Sequence, residues 1–245
     1  MSVGSSEMQT LPSNPEPDRG RPLWLDILGI TTVILVLVDL FGALLWVPRE
    51  VQMGDVQRIF YFHMPSAWLA LGPAFTVVFI CGILYLWKKE LLYDRIAVAS
   101  AEIGVVFTTI TLVTGPLWAK PIWGAYWTWD PRLTTTLVLW FIYVAYLMVR
   151  SSFPEGHRRA RLLAVVGIVG WVDVPIVFMS IRWWRTIHPT LVSAQGMDMD
   201  PSMQAMLVFS LGVFTMLYVY LMVVRVGQET VASRLGRISQ QIHIR

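Results

Sequence analysis

Two of the four histidines in this chain lie beside prolines and aromatic residues. His63 occurs in RIFYFHMPSAW, two residues before Pro65, and His188 occurs in IRWWRTIHPT, directly before Pro189. Imidazole is a common ligand for iron and other transition metals. The remaining two, His157 and His243, lie in polar, basic segments and are interpreted as ordinary solvated residues. His63 and His188 are therefore the candidate metal ligands.

A tryptophan-rich segment lies between these two histidines. The stretch WGAYWTWDPRLTT, residues 123–135, holds three tryptophans within seven residues. Indole rings bury a large apolar area and pack against other flat ring systems. The segment is expected to form a platform for a planar ligand, and the residues assigned to this platform are Trp118, Trp123, Trp127, Trp129, Asp130, Trp183 and Trp184. Asp130 precedes a proline, which favours an extended backbone, so its carboxylate is expected to shape the loop through backbone hydrogen bonds.

The segment around His188 allows two interpretations. If residues 182–188 form a helical turn, one face of that turn carries Trp183, Trp184, Ile187 and His188. Such a turn is suited to the membrane interface, and by itself it is typical of a tryptophan belt with a chance histidine. A second histidine in a similar setting, His63, favours the metal-ligand interpretation.

Haem matches this combination of side chains. It is flat and apolar, and its iron takes two axial ligands, which His63 and His188 can supply. Its two propionates require cations, and arginine forms charge-assisted hydrogen bonds with carboxylates. The candidate propionate partners are Arg58, Arg132 and Arg185. The prediction is a non-covalently bound, b-type haem.

The composition predicts a membrane protein. Of the 245 residues, 56% are hydrophobic and 14% are charged, which is too apolar for an ordinary soluble domain. The single cysteine, Cys81, excludes an internal disulfide. Six apolar segments have the length of about 17–25 residues that a membrane span needs; they lie near 25–47, 65–87, 96–115, 133–149, 162–181 and 204–224. The predicted fold class is an all-α polytopic membrane protein with six transmembrane helices, in which the tryptophan loop and two histidine-bearing loops share the outer face.

Basic residues are distributed unequally between the two sets of connecting segments. Thirteen of the nineteen Lys and Arg residues lie in one set, which comprises both tails, 88–95 and 150–161. Six lie in the other set, which comprises 48–64, 116–132 and 182–203. The positive-inside rule predicts that both termini are cytoplasmic. The same rule accounts for the net charge of +3, so this charge does not indicate that the protein binds nucleic acid. The predicted organisation is a disordered cytoplasmic tail (1–22), a six-helix membrane domain (23–226) and a cytoplasmic C-terminal tail (227–245).

Three carboxylates fall within predicted spans, namely Asp39, Glu102 and Asp173. Charged groups in the hydrocarbon region are costly, and they mark functional or helix-joining positions. The favoured interpretation is polar contact between helices or with a partner subunit. A proton or ion pathway is the alternative.

The tryptophan segment resembles the WWD motif of the haem-handling proteins of cytochrome c maturation system I. With six spans, RIFYFHMPSAW before the second and WWRTIH after the fifth, the chain resembles the CcmC family over about residues 25–225. The resemblance implies a bacterial inner-membrane protein that holds haem at the periplasmic face between two axial histidines, which correspond to His63 and His188. The residues that correspond to the supporting WWD loop are Trp123, Trp127, Trp129 and Asp130. The resemblance also implies the partners CcmA and CcmB, which form an ABC transporter, the small protein CcmD, and the haem chaperone CcmE, which receives the haem.

Two other classes of function stay open. An electron-transfer protein with a b-type haem usually places its histidines inside spanning helices. A secondary transporter would use Asp173 or Glu102 but would leave the tryptophan loop unexplained. The nucleotide-binding pattern GxxxxGK[ST] does not occur in the sequence, so ATP hydrolysis is expected in another chain, and this chain is not expected to be an enzyme by itself.

Overall fold

The fold of the protein is a bundle of long helices. The computed structural model describes residues 22–188 and 199–243, and its regular elements are helices. Six helical segments are long and apolar enough to cross a membrane: Leu23–Trp46, Asp55–Lys88, Leu91–Trp123, Pro131–Ser152, His157–Trp183 and Pro201–Gly236. The prediction of an all-α, six-span chain is confirmed, and the protein is a multi-pass membrane protein. The predicted N-terminal tail lies outside the described residues except for Pro22.

Some of the six spans are interrupted by tighter or wider helical turns. The α-helices are α1 (Leu23–Phe41), α2 (Phe60–Leu69), α3 (Phe75–Lys88), α4 (Leu91–Trp123), α5 (Pro131–Ser152), α6 (His157–Trp171), α7 (Asp173–Trp183) and α8 (Pro201–His243). A π-helical turn, Gly42–Trp46, extends α1. The second span joins a 3-10 turn (Asp55–Ile59), α2, a π-helical turn (Ala70–Ala74) and α3. The fifth span joins α6 and α7.

Helix α4 lies at the centre of the bundle and packs against α2, α3, α5 and α8. A small residue allows its close approach to α3, since a Cβ on Gly104 would lie 2.6 Å from Cε1 of Phe75. The Phe75 ring stacks in turn on Tyr143 of α5, with the ring centroids 3.8 Å apart. Close packing of this kind holds helices together in a membrane, where lipid removes the hydrophobic driving force between them.

Two helices run further than the sequence predicts. The third span is predicted to end near residue 115, but α4 continues to Trp123 through Pro116 and Pro121. A proline removes one hydrogen bond of the helix, and spanning helices tolerate that loss when neighbouring groups pack on them. Trp118 and Trp123 therefore lie on a helix rather than in a loop. Helix α8 likewise continues to His243, so the segment predicted as a tail from residue 227 is helical.

Two of the three carboxylates predicted within spans join helices. Asp39 accepts a hydrogen bond from the Ser210 hydroxyl at 2.6 Å, which links α1 to α8. Glu102 accepts a hydrogen bond from Arg225 at 2.8 Å, which links α4 to α8. The interpretation as polar contacts between helices is confirmed for these two. Asp173 begins α7, and its Oδ2 atom is buried without a hydrogen-bond partner among the described residues; its role stays a prediction.

Candidate functional site

His63 lies inside a helix. The 3-10 turn Asp55–Ile59 runs directly into α2, so the spanning helix begins before the histidine, and Pro65 lies within it. The prediction that His63 ends the first outer loop is therefore wrong. A proline is most easily accommodated in the first turn, but here it lies deeper and removes the helical hydrogen bond to the Tyr61 carbonyl. The imidazole is buried, with 8% of the residue exposed.

Thr114 of α4 fixes one ring nitrogen of His63. Nδ1 lies 3.0 Å from Thr114 Oγ1, and the same hydroxyl lies 2.7 Å from the carbonyl oxygen of Ile110. A hydroxyl has one hydrogen to donate, and the carbonyl can only accept it. Thr114 Oγ1 therefore accepts the hydrogen bond from Nδ1–H. This assignment leaves Nε2 of His63 as the ring nitrogen that carries a lone pair.

Gly115 and Trp118 form the walls around the His63 ring. A Cβ at Gly115 would lie 3.2 Å from Cε1 of His63, so the imidazole rests against glycine backbone. The Trp118 ring meets the imidazole edge-on, with centroids 5.8 Å apart. The sequence analysis missed Thr114 and Gly115. The sequence did contain a signal for Thr114, because it lies four residues before the predicted platform residue Trp118 and therefore on the same face of a helix.

Asp130 joins the tryptophan loop to the segment that carries His188. It is the N-cap residue of α5, is 6% exposed, and accepts a hydrogen bond from the backbone N–H of Arg132 at 3.0 Å through Oδ1. Its Oδ2 accepts hydrogen bonds from the Thr186 hydroxyl at 2.7 Å and from the Ile187 N–H at 2.9 Å. Thr186 Oγ1 accepts in turn from the His188 N–H at 3.0 Å. The predicted role of Asp130 in shaping the loop through backbone hydrogen bonds is confirmed; the sequence analysis missed Thr186.

The segment before His188 is extended. Helix α7 ends at Trp183, and Trp184 has φ −122° and ψ 156°. The helical turn considered for 182–188, with its aromatic face, therefore does not form beyond Trp183. The physical reason is a competition for backbone donors. The N–H groups of Ile187 and His188 bond to side-chain oxygens, whereas a helix would direct them to carbonyls four residues earlier.

The tryptophans of the loop lie beside His188 and toward the surface. Trp123 ends α4, and its ring centroid lies 6.4 Å from that of His188. Trp127 and Trp129 meet edge-on at 5.7 Å. Trp129 has φ 53°, a left-handed conformation that is costly for a bulky residue, and 69% of it is exposed. The strained backbone thus displays this ring at the surface. The exposed rings also include Trp183 and Trp184.

The two histidines share one end of the bundle with Arg132. Both histidines lie against the C-terminal turns of α4: the His63 ring centroid is 5.8 Å from that of Trp118 and the His188 centroid is 6.4 Å from that of Trp123. Arg132 is tied to the same place, because Asp130 accepts hydrogen bonds from the N–H groups of both Arg132 and Ile187. Arg132 is half-buried in the first turn of α5. The structure therefore brings together three of the residues that the sequence analysis assigned to one site.

The other two predicted propionate partners differ in their settings. Arg58 donates to the carbonyl oxygen of Ala43 at 3.1 Å and to the Asp55 carboxylate at 3.3 Å. Its guanidinium therefore holds the end of the first span against the start of the second. Arg185 is exposed on the extended segment next to Thr186.

Comparison with known proteins identifies the family. Residues 19–241 match the family model of CcmC, heme exporter protein C. Heme exporter protein C of Bradyrhizobium diazoefficiens is 34% identical over 210 residues, which cover 85% of this chain and 79% of that protein. The protein of the same name from Escherichia coli K12 is 34% identical over 198 residues, or 81% of this chain and 80% of that protein. A ccmC-like mitochondrial protein of cytochrome c biosynthesis from Marchantia polymorpha is 38% identical over 161 residues, or 65% of this chain and 68% of that protein. With six spans and a tryptophan loop that is bonded to a histidine segment, the chain belongs to the CcmC family, heme exporter protein C.

Proposed function

We propose that this protein holds haem at the external membrane surface, with His63 and His188 as the axial ligands, and passes it to the haem chaperone CcmE. Membership of the CcmC family supports a role in cytochrome c maturation. The observation that carries the proposal is that His63 in α2 and His188 after α7, two histidines distant in sequence, both pack against tryptophans in the last turns of α4, Trp118 and Trp123. The haem is bound without covalent attachment, as a b-type group.

The side chains at this surface fit a porphyrin. With Nδ1 of His63 bonded to Thr114, Nε2 is available for iron, and metal-ligating histidines commonly use their second nitrogen in this way. The exposed indole of Trp129 offers an apolar ring face to the macrocycle. The indole nitrogens of Trp118 and Trp127 are buried and lack hydrogen-bond partners within the described part of the chain. Propionate oxygens are acceptors of the kind that such donors require.

Arg132 is the favoured propionate partner. It is half-buried and lies two residues after Asp130, which holds the His188 segment, and a charge-assisted hydrogen bond is stronger where water is partly excluded. The Asp130 carboxylate does not compete for the same arginine side chain, because both of its oxygens already accept hydrogen bonds from the loop and from the His188 segment.

The orientation in the membrane follows from the basic residues. Thirteen of nineteen lie in the tails and in the two connections on the same side as the tails, so both termini are cytoplasmic and the histidine surface is periplasmic in a bacterial inner membrane. In this orientation, an ion-pair network faces the cytoplasm. In that network Arg150 bridges Asp94 at 2.9 Å and Glu229 at 2.6 Å.

The family implies the partner proteins. They are CcmA and CcmB, which form an ABC transporter, CcmD, and the haem chaperone CcmE. The chain acts as a haem-handling subunit and not as an enzyme, and the ATPase is a separate chain. No nucleic acid is involved.

One observation favours a second function. His63 lies inside a spanning segment, which is the usual position of a ligand in a membrane electron-transfer protein with a b-type haem. His188 differs, because it is half-buried on an extended segment, as suits a haem that must be reached by an acceptor.

An absorption experiment with the acceptor separates the two functions. The full-length protein, purified with haem, should show a low-spin Soret band, since two imidazoles bind the iron. Added haem-free CcmE should then remove haem from the delivery protein. An electron-transfer protein would keep its haem under the same conditions, and a chain that shows no Soret band would contradict both functions.

A further inference from the structure

The two histidines are held in different ways. His63 lies within α2 and is almost fully buried, and its ring is bonded to Thr114 and seated on Gly115. Helix α2 packs against both α4 and α8. Movement of His63 would therefore require movement of a packed helix, and the residue is a rigid part of the bundle.

His188 is held by a chain of hydrogen bonds between side chains and backbone. It lies on a non-helical segment, five residues after α7 ends. Its N–H donates to the Thr186 hydroxyl oxygen, and that hydroxyl donates to Asp130. The Ile187 N–H donates to the same Asp130 oxygen. Rotation of the Thr186 side chain breaks two of these bonds without moving a helix.

We propose that His63 is the fixed axial ligand of haem, that His188 is the exchangeable one, and that Thr186 is the positioning residue that sets how readily His188 leaves. This inference rests on the proposed haem-binding function. When haem is transferred, the bond between the iron and a ring nitrogen of His188 breaks and the imidazole keeps its lone pair. A ligand from the acceptor takes the vacated position, and no electron is transferred. The haem stays bound through His63 until that exchange is complete.

The rate at which carbon monoxide replaces one histidine on reduced iron tests this proposal. The full-length protein is loaded with haem, reduced with dithionite and mixed with increasing carbon monoxide, until the rate reaches the limit set by dissociation of the axial histidine. Thr186→Val removes the hydroxyl and keeps the branched side-chain shape. It should raise the limiting rate about tenfold, which corresponds to about 1.4 kcal/mol. Thr186→Ser, which keeps the hydroxyl, should restore the original rate.

Two further threonine variants provide the comparison. Thr114→Val acts on His63, so it should reduce the fraction of protein that carries haem, while the limiting rate of the loaded fraction stays within about twofold. Thr135→Val is the matched control, because the Thr135 hydroxyl bonds to carbonyl oxygens in its own helix, those of Pro131 and Arg132. It should change neither the loading nor the rate. Thr186→Ala replaces Thr186→Val if the latter does not fold.

Hydrogen exchange on the haem-free protein gives an independent measurement. The amides of Ile187 and His188 are bonded to Asp130 and Thr186, so a peptide that covers 184–188 should exchange faster in Thr186→Val. A peptide that covers 110–118, which lies beside His63, should exchange at the wild-type rate.

The outcomes distinguish this inference from the function on which it rests. A larger increase of the limiting rate in Thr114→Val than in Thr186→Val would make His63 the leaving ligand and overturn the proposal. Equal limiting rates in all variants would also overturn it, because Thr186 would then have no control over the exchange. A wild-type protein that takes up no haem, or that lacks a low-spin spectrum, would instead refute the proposed function.

Discussion

Replacement of Gly115 by alanine should weaken haem binding without weakening the fold. The added Cβ would lie 3.2 Å from Cε1 and 3.8 Å from Nδ1 of His63. Carbon atoms pack best at about 3.5–4.0 Å, so the imidazole must retreat by about 0.3–0.8 Å from that methyl group. The hydrogen bond from Nδ1 to Thr114 is 3.0 Å long, and a shift of this size brings it to the limit at which such bonds are weak.

The expected loss follows from that hydrogen bond. A typical intramolecular hydrogen bond contributes about 0.5–1.5 kcal/mol. Without it the imidazole is no longer held in the iron-binding orientation before haem arrives, so the affinity for haem should fall roughly two- to twelvefold. In the haem-free protein, alanine favours the helix over glycine by about 0.5–1 kcal/mol, which offsets the weakened hydrogen bond. Gly212→Ala in α8 is the matched control, because no heavy atom lies within 4 Å of its added Cβ. It should give the same gain in helix stability and leave haem binding unchanged.

The assay is a haem titration of each purified variant, followed by absorbance, together with a thermal melt of the haem-free protein. The expected result is weaker binding in Gly115→Ala alone and a melting temperature that does not fall in either variant. Equal haem affinity in both variants would refute the reasoning that places His63 against Gly115 as an iron ligand. A lower melting temperature in Gly115→Ala alone would show that the methyl group disturbs the packing of α4 and not only the imidazole.

Three further predictions concern the loop, and one concerns topology. Asp130→Ala should lower the stability measured in a thermal melt, by about 1 kcal/mol for the lost helix cap and by about 0.5–1.5 kcal/mol for each hydrogen bond lost to the His188 segment. An unchanged melting temperature would contradict those hydrogen bonds. Trp129→Gly should stabilise the haem-free protein by about 1 kcal/mol, because glycine adopts the φ of 53° without strain. It should also lower the amount of haem per protein; full haem occupancy would show that the Trp129 ring does not support haem. Arg132→Glu should lose more haem than Arg132→Gln, with the same low-spin spectrum in what remains, and equal losses would argue against a propionate contact. Reporter fusions at residue 155 should be cytoplasmic and those at residue 122 external, and the reverse pattern would place the histidine surface on the wrong side for periplasmic haem delivery.

The sequence alone determined the number of spans and the role of Asp130 in the loop. A run of apolar residues about as long as the bilayer is thick specifies a spanning helix through composition, and neighbouring elements are not needed to recognise it. An aspartate before a proline at the start of an apolar segment is likewise a local signal, because the N-cap hydrogen bond to Arg132 forms between residues two apart. The histidines and tryptophans of the candidate site were proposed in the same way, by residue type and by their predicted place at the ends of spans, although His63 lies within α2.

Tertiary contacts decided how those side chains are held. His63 is bonded to Thr114, 51 residues away, and no local pattern specifies which residue of α4 will lie opposite an imidazole on α2. The extended segment before His188 depends on Asp130, 57 residues from Ile187, because a buried carboxylate offers backbone N–H groups a stronger acceptor than a further turn of helix would. The fixed setting of His63 and the tethered setting of His188 therefore arise from contacts between distant helices, and only the folded bundle brings those helices together.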